Sequence, residues 1–285
     1  MQSCESHSIA KANIDMKRLH SLSVIIICKN EVDRIRECLA SVVDLADQVI
    51  VLDSGSTDGT LDIIREFNVE LKVTDWPGFG RQRQRALDAA TGEWILSIDA
   101  DERVSPKLAK EICDLFCQEH IPFAIYRIPW HQIFLGKRMY HGRYASPQAR
   151  LFKREGAQYP FAQIHETLIP PPGEVGFLEG GLVHYSYRDY CHFTEKHARY
   201  SWLLAKEKYA RGESSGIWFA WFRGHWEFIH QYVLRGLCFD GTRGYLQARG
   251  LSQYAFNKYA GLWSLKATNE SIDKDFKPEL RDRRP

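Results

Sequence analysis

No apolar run in this sequence approaches the roughly 18 residues that a membrane-spanning helix needs; the purest, Val24 to Cys28, is the size of a strand. Cysteine is sparse and unpatterned. The seven (Cys4, Cys28, Cys38, Cys113, Cys117, Cys191, Cys238) are odd in number and never spaced C-x-x-C, which argues against a disulfide framework and for reduced thiols in a cytosol. Charge of one sign is missing too: 38 Lys and Arg stand against 36 Asp and Glu, so no overall field points to nucleic acid. There is no internal repeat and no low-complexity tract. Residues 1–20 hold Glu5, Asp15 and Lys17 and no apolar stretch, so they read as a polar leader rather than a signal peptide. Finally, the first apolar run is followed by "KNE" and not by G-x-G-x-x-G, which argues against a dinucleotide-binding dehydrogenase.

What is present is an alternation. "SVIIICKNE" predicts a buried strand from Ser23 to Cys28, followed by Ile35, Leu39 and Val42 at helical spacing. "QVIVLDSGSTDGT" predicts a second strand ending at Asp53, a tight turn through Gly55, and a helix to Phe67 that Thr57 or Asp58 can cap. "VELKVTD" is a third strand, Gly80 to Ala90 a helix, Trp94 to Asp99 a fourth strand, and Pro106 opens a helix to about Glu119. Continuous apolar strands alternating with helices predict an α/β fold, doubly wound around a mostly parallel sheet covered on both faces. Such sheets bind ligands beyond the carboxyl ends of their strands. Here those ends carry Lys29, Asn30, Glu31, Asp53, Asp75, Asp99 and Asp101.

From about 120 to 190 the texture changes to short aromatic strands ("FAIYRIPW", "ARLFKRE", "GLVHYSY") between polar loops. Residues 190 to 266 read as helical. Trp218, Phe222, Trp226, Ile229, Val233 and Leu237 form one apolar stripe, "FDGTRG" breaks it, and a second helix runs from about Tyr245 to Leu265. Eleven Lys and Arg stand against four Asp and Glu between Lys196 and Lys266. The stripe either packs onto the sheet domain or lies against an anionic membrane surface, with Trp and Arg at the headgroups.

The chemistry sits in "WILSIDADE". Asp99 and Asp101 at one strand-to-loop corner can converge on a hard divalent cation, Mg²⁺ or Mn²⁺, whose remaining ligands substrate phosphates would supply; a polar turn capping a helix would look the same. Asp53 can accept a hydrogen bond from a base or ribose, or simply hold its turn, and Asp58 reads as loop-closing. "GFGRQRQRAL" puts Arg81, Arg83 and Arg85 at a helix start, where the dipole favours anions. A diphosphate at that end would account for them; a solvated basic face is the alternative. His184, after an apolar strand, and His165 can each add a ligand to the same cation or touch the diphosphate, whereas His131, His141, His192, His197, His225 and His230 show no metal-ligand spacing.

Taken together, "SVIIICKNE", "VIVLDSGSTDGT" and "GEWILSIDADE" resemble the nucleotide-sugar half of family 2 glycosyltransferases of GT-A fold. "GFGRQRQRAL", "RLFKRE", "IHETL", "LVHYSYRDY" and "FDGTRGY" are similar to the branch that places β-1,4-glucose on an inner-core heptose of lipopolysaccharide. Relatives often carry Asn at the position of Gln84. The resemblance implies a GT-A domain over 21–190, with a nucleotide-sugar half (21–120) and an acceptor half (121–190). A helical region (191–270) and a polar tail (271–285) follow. It implies a UDP-sugar donor, a divalent metal, inversion at the anomeric carbon and a lipid-linked saccharide acceptor. The expected setting is cytoplasmic, or peripheral on the cytoplasmic face of a bacterial inner membrane, with no nucleic acid partner.

Residue by residue, the resemblance implies that Asp53 meets the uracil, Asp99 lies near ribose or metal, and Asp101 binds the metal bridging the diphosphate. Lys29, Asn30, Glu31, Arg81 and Arg83 would line the nucleotide-sugar site. Inversion by direct displacement needs a base; Glu166 in "QIHETL" is the candidate and Glu102 its rival. Competing readings keep the donor but change the acceptor to a polyprenyl phosphate, another polysaccharide or a protein, or make the chain a nucleotidyltransferase or a catalytically silent binding protein.

Overall fold

The computed structural model describes residues 18–142, 146–160 and 168–268. The chain divides into two compact units, residues 1–131 with 146–184, and residues 132–145 with 185–285.

The first unit is built on β1 (Leu22–Cys28), α1 (Ile35–Ala40), β2 (Gln48–Asp53), α2 (Thr60–Ile64), β3 (Glu70–Val73), α3 (Phe79–Ala89), β4 (Trp94–Asp99), β5 (Glu102–Val104) and α4 (Pro106–Phe116), followed by β6 (Ile125–Ile128). The next strand, β7 (Trp130–Phe134), runs out of this unit, and β8 (Lys137–Arg138) lies in the other. The chain then returns through β9 (Gln148–Lys153), β10 (Val175–Phe177) and β11 (Leu182–His184). The large sheet has the order β10-β6-β9-β4-β1-β2-β3. The strands β3, β2, β1 and β4 are mutually parallel, and β9 runs antiparallel to both β4 and β6. This is the mostly parallel α/β sheet the apolar runs predict.

Every residue of β1 is buried. Val24, Ile26 and Cys28 enter one core with α1 and α4, while Ile25 and Ile27 enter a second with Ala86 and Leu87 of α3. Burial on both faces is why the strand reads as an unbroken apolar run rather than an alternation. The helix expected to Phe67 stops at Ile64.

In the second unit α5 (Tyr190–Ala210), α6 (Ile217–Ile229) and α7 (Gly241–Ala267) form the helical layer. A π-helical turn (His230–Leu234) and a 3₁₀ turn (Leu237–Asp240) join the last two. The break therefore begins nine residues before "FDGTRG", whose Asp240 accepts from the backbone N–H of Tyr140 and His141 at 3.3 and 3.1 Å. Against α7, α6 turns a small face: Ser252 Oγ donates to the Gly224 carbonyl at 2.9 Å, and a Cβ at Gly224 would stand 3.1 Å from Phe256 Cβ. With Ala220 and Gly224 inward, the large side chains face out. Trp218 is 80% exposed, Phe222 55% and Val233 57%; of the predicted stripe only Leu237 is fully buried. The stripe is thus an outer face, because close helix crossing selects small residues for the inner one. Among the described residues, no helix is long and apolar enough to cross a membrane.

Candidate active site

In the parallel sheet β1 lies between β2 and β4, so the chain reverses its winding direction there. Register sets the strand ends level: Cys28 pairs with Asp53, and Ile27 with Asp99. The loops that leave β1 and β2 are latched together. Asn30, at φ 55°, donates its N–H to Ser56 Oγ at 2.7 Å, and its Oδ1 accepts from the Thr57 N–H at 2.9 Å. The Glu31 N–H reaches Thr60 Oγ1 at 2.8 Å, and the Val32 N–H reaches Asp58 Oδ2 at 3.3 Å. Asn tolerates the left-handed conformation that this turn requires.

Asp53 is fully buried. Its Oδ1 accepts from the N–H groups of Gly55 and Ser56 at 2.8 and 2.7 Å, and its Oδ2 from Ser56 Oγ and Cys28 Sγ. These donors come from the turn after β2 and from the end of β1, so the carboxylate holds its turn in the way the sequence also allowed. Asp58 closes the loop through Thr60 and Val32. Burial pushes its carboxyl up, but those hydrogen bonds outweigh it and leave the group below its ordinary value. Lys29 is half-buried at the end of β1.

Around β4 the charges interlock. Asp99 Oδ1 accepts from Arg83 at 2.6 Å and Oδ2 from Arg150 at 3.0 Å. Burial opposes its ionisation, and the two guanidiniums outweigh burial, holding the carboxyl below the usual carboxylate range. Arg150 also donates to Glu102 Oε1 at 2.8 Å and to the Ser97 carbonyl at 3.2 Å, with its guanidinium 5.2 Å from the Trp130 ring centroid. Glu102 is fully buried, and its other oxygen accepts from the Asp99 N–H at 2.8 Å. Burial pushes its carboxyl up to about 7 against the pull of Arg150.

Asp101 faces the other way. Its Oδ2 lies 3.3 Å from His184 Nε2 and 3.7 Å from Arg34 Nη1. The pairing follows from β5 and β11, which run antiparallel with His184 opposite Glu102. Trp130 packs against the imidazole at a centroid distance of 4.8 Å. Burial lowers the His184 pKa, but Asp101, Glu102 and Asp99 more than restore it, and the net direction is up. Arg34 is buried, 3.5 Å from Glu31, and its Nη2 has no hydrogen-bond partner.

The structure thus brings Asp99, Asp101, Glu102, His184 and Arg83 into one cluster. Arg81 is exposed on the first turn of α3, and Arg85 pairs outward with Asp75 at 2.7 Å. Glu166 and His165 lie outside the described residues. Three participants were not singled out from the sequence: Arg150, Arg34 and Gln82. The buried Gln82 amide donates to Ser54 Oγ at 3.1 Å and Thr74 Oγ1 at 2.7 Å, tying the ends of β2 and β3. A signal for Arg150 did exist, since it shares strand parity with the fully buried Phe152.

Among the described residues no three His, Cys, Asp or Glu side chains are arranged to hold a metal by themselves. Asp101 and His184 do place one oxygen and one nitrogen donor together beside a buried guanidinium with an unmet N–H. That donor set suits a divalent cation whose other ligands are phosphate oxygens. Both oxygens of Asp99 are already held by arginine.

A mostly parallel sheet with a switch point, and a cluster of acids and arginines at its strand ends, defines an α/β protein with a charged site where such sheets bind ligands. The chain belongs to glycosyl transferase family 2, whose profile matches residues 23–173, more than half of it. With that membership the nucleotidyltransferase alternative falls away. Over most of its length the chain is similar to the lipopolysaccharide core biosynthesis glycosyltransferase LpsC of Rhizobium meliloti, at 28% identity over 86% of this chain and 93% of that one. Among solved structures it is similar to S. aureus TarS, with a TM-score of 0.44 and 18% identity over 61% of this chain and 38% of that one. It is also similar to glucosyl-3-phosphoglycerate synthase of Mycobacterium tuberculosis, solved with Mn²⁺ and UDP-glucose, with a TM-score of 0.35 and 22% identity over 46% of this chain and 48% of that one.

Proposed function

We propose that this family 2 enzyme is an inverting, metal-dependent glucosyltransferase. Its donor is UDP-glucose and its acceptor an inner-core heptose of a lipid-linked lipopolysaccharide core, met at the cytoplasmic face of an inner membrane. The observation that carries this reading is the convergence of Asp101 and His184, 3.3 Å apart at the strand ends, with Arg34 beside them. The similarity to LpsC supports the choice of acceptor.

Asp101 and His184 would hold Mg²⁺ or Mn²⁺, which supplies positive charge to the departing diphosphate. Arg34, with its unmet N–H, and the exposed Arg81 would take phosphate oxygens. Arg83 and Arg150 hold Asp99, so we assign Asp99 to the ribose side rather than to the cation. The latched loop of Lys29, Asn30, Glu31 and Asp53 would border the base. In the transfer the acceptor hydroxyl oxygen forms the new bond to the anomeric carbon as the bond to UDP breaks, and its proton passes to a carboxylate. We assign that base to Glu166, and Glu102, with both oxygens spent on Arg150 and the Asp99 N–H, to positioning.

A panel of UDP-sugars with Mg²⁺ or Mn²⁺, offered heptose-containing core and polyprenyl phosphate as acceptors, tests the reading. Asp101→Ala is expected to lower turnover by about 10²-fold or more with the fold intact; normal turnover would remove the assignment of the cation. Glu166→Gln is expected to keep donor binding and lose about 10²–10⁴-fold in transfer. Unchanged transfer would move the base elsewhere.

A further inference from the structure

The proposed chemistry makes no use of the aromatic face of α6. Trp218, Trp221, Phe222, Ile229, Val233 and Leu234 are all exposed, and Phe239 extends the face at 79% exposure. Between Gly216 and Phe239 no acidic side chain is exposed. The one carboxylate in that stretch, Glu227, accepts from the buried Gln231 amide at 2.8 Å, and the one exposed ionised side chain is Arg235.

The inner face explains why this apolar surface is not spare core. Ala220 and Gly224 already seat α6 on α7, and Phe219 meets Tyr259 edge-on at 4.9 Å. A protein partner would ordinarily require about one hydrogen bond per 100–200 Å² of interface. This face offers little beyond indole N–H groups and His225 for that purpose. Tryptophan with an apolar body and a polar N–H suits the boundary between headgroups and acyl chains. Charge selects the sign of the lipid: from Lys196 to Lys266 the sequence carries eleven Lys and Arg against four Asp and Glu.

We propose that the outer face of α6, continued through Leu234 and Phe239, docks on an anionic lipid bilayer, lying in the interface with its aromatic side chains among the acyl-chain ends. It depends on the proposed function in one respect, since a lipid-linked acceptor resides at such a surface. Binding of this kind scales with buried apolar area plus attraction to anionic lipid. Removing two exposed aromatics therefore weakens it without touching the core.

The full chain is sedimented with vesicles of phosphatidylglycerol mixed with phosphatidylcholine, and with phosphatidylcholine alone. The wild type is expected to pellet with the anionic vesicles and far less with the neutral ones. The double variant Trp218→Ser, Phe222→Ser is expected to bind about tenfold or more weakly, with an unchanged thermal midpoint. Phe177→Ser, at an exposed position in the sheet unit, is expected to bind as the wild type does. A wild type that stays in the supernatant, or a double variant that pellets equally well, overturns the proposal. So does a wild-type dimer that the double variant converts to monomer while neither binds vesicles, which would give the face to a second copy. UDP-glucose binding by calorimetry on the same samples separates the two readings: a protein that pellets but does not take the donor sinks the glucosyltransferase reading and leaves the docking face standing.

Discussion

The sheet unit and the helical unit sort their residues in opposite ways. In the sheet unit large apolar side chains fill both faces of β1, β2 and β4, and the buried Arg150 is matched by Asp99 and Glu102. In the helical unit Ala220 and Gly224 are the buried residues of α6, Ser252 of α7 bonds to Gly224, Phe219 and Phe228 meet tyrosines of α7 at its flanks, and Trp218, Trp221 and Trp226 stand outside. The same 3.6-residue periodicity therefore carries different meanings. A stripe of large apolar residues marks the core only when nothing smaller competes for the inner face.

Breaking the matched charge should produce the largest effect. Arg150→Met leaves the buried Glu102 carboxylate without its cation and Asp99 with Arg83 alone, and is expected to cost about 3–5 kcal/mol, read by urea denaturation. Glu102→Gln in the same chain should recover part of that loss, and no recovery would mean that the pair is not coupled. Next comes the seam of small residues. Gly224→Leu is expected to cost about 1–3 kcal/mol by overpacking against Phe256, whereas Trp218→Ser should change stability by no more than about 0.5 kcal/mol. Equal costs for the two would erase the contrast between inner and outer faces.

Among the changes expected to destabilise, the smallest is at Asp58, whose folded-state carboxyl lies below its ordinary value. A depressed pKa means that the charged form is favoured by folding. Its stabilisation is complete above the unfolded aspartate range, about pH 4, and is lost as pH falls through the lower folded value. Asp58→Asn should therefore cost about 1 kcal/mol or less near neutrality, solvent screening included. The gap to wild type should close in acid; a gap independent of pH would rule out the carboxylate's charge as its source.

The sheet was legible in the sequence because burial on both faces writes β1, β2 and β4 as uninterrupted apolar runs. Asp99 and Asp101 were legible because the run Trp94 to Ile98 ends on them. His184 was expected to share a cation with Asp101, but the register of the two short strands that sets the pair 3.3 Å apart was not legible, because they lie far apart in sequence. Arg150 was missed because an arginine in a polar-looking strand resembles a surface residue until its partners are known. The outward turn of α6 was left open because periodicity identifies a face without saying which neighbour takes it.

The latch between the first two loops sets the terms for remodelling this enzyme. Three successive backbone amides of one loop grip Ser56, Thr60 and Asp58 of the other, and Asn30 returns the hold on Thr57. The two segments are a single part made of two pieces of chain. A graft that exchanges or lengthens either alone strands the donors of its mate, so any transplantation of one loop has to carry both across together.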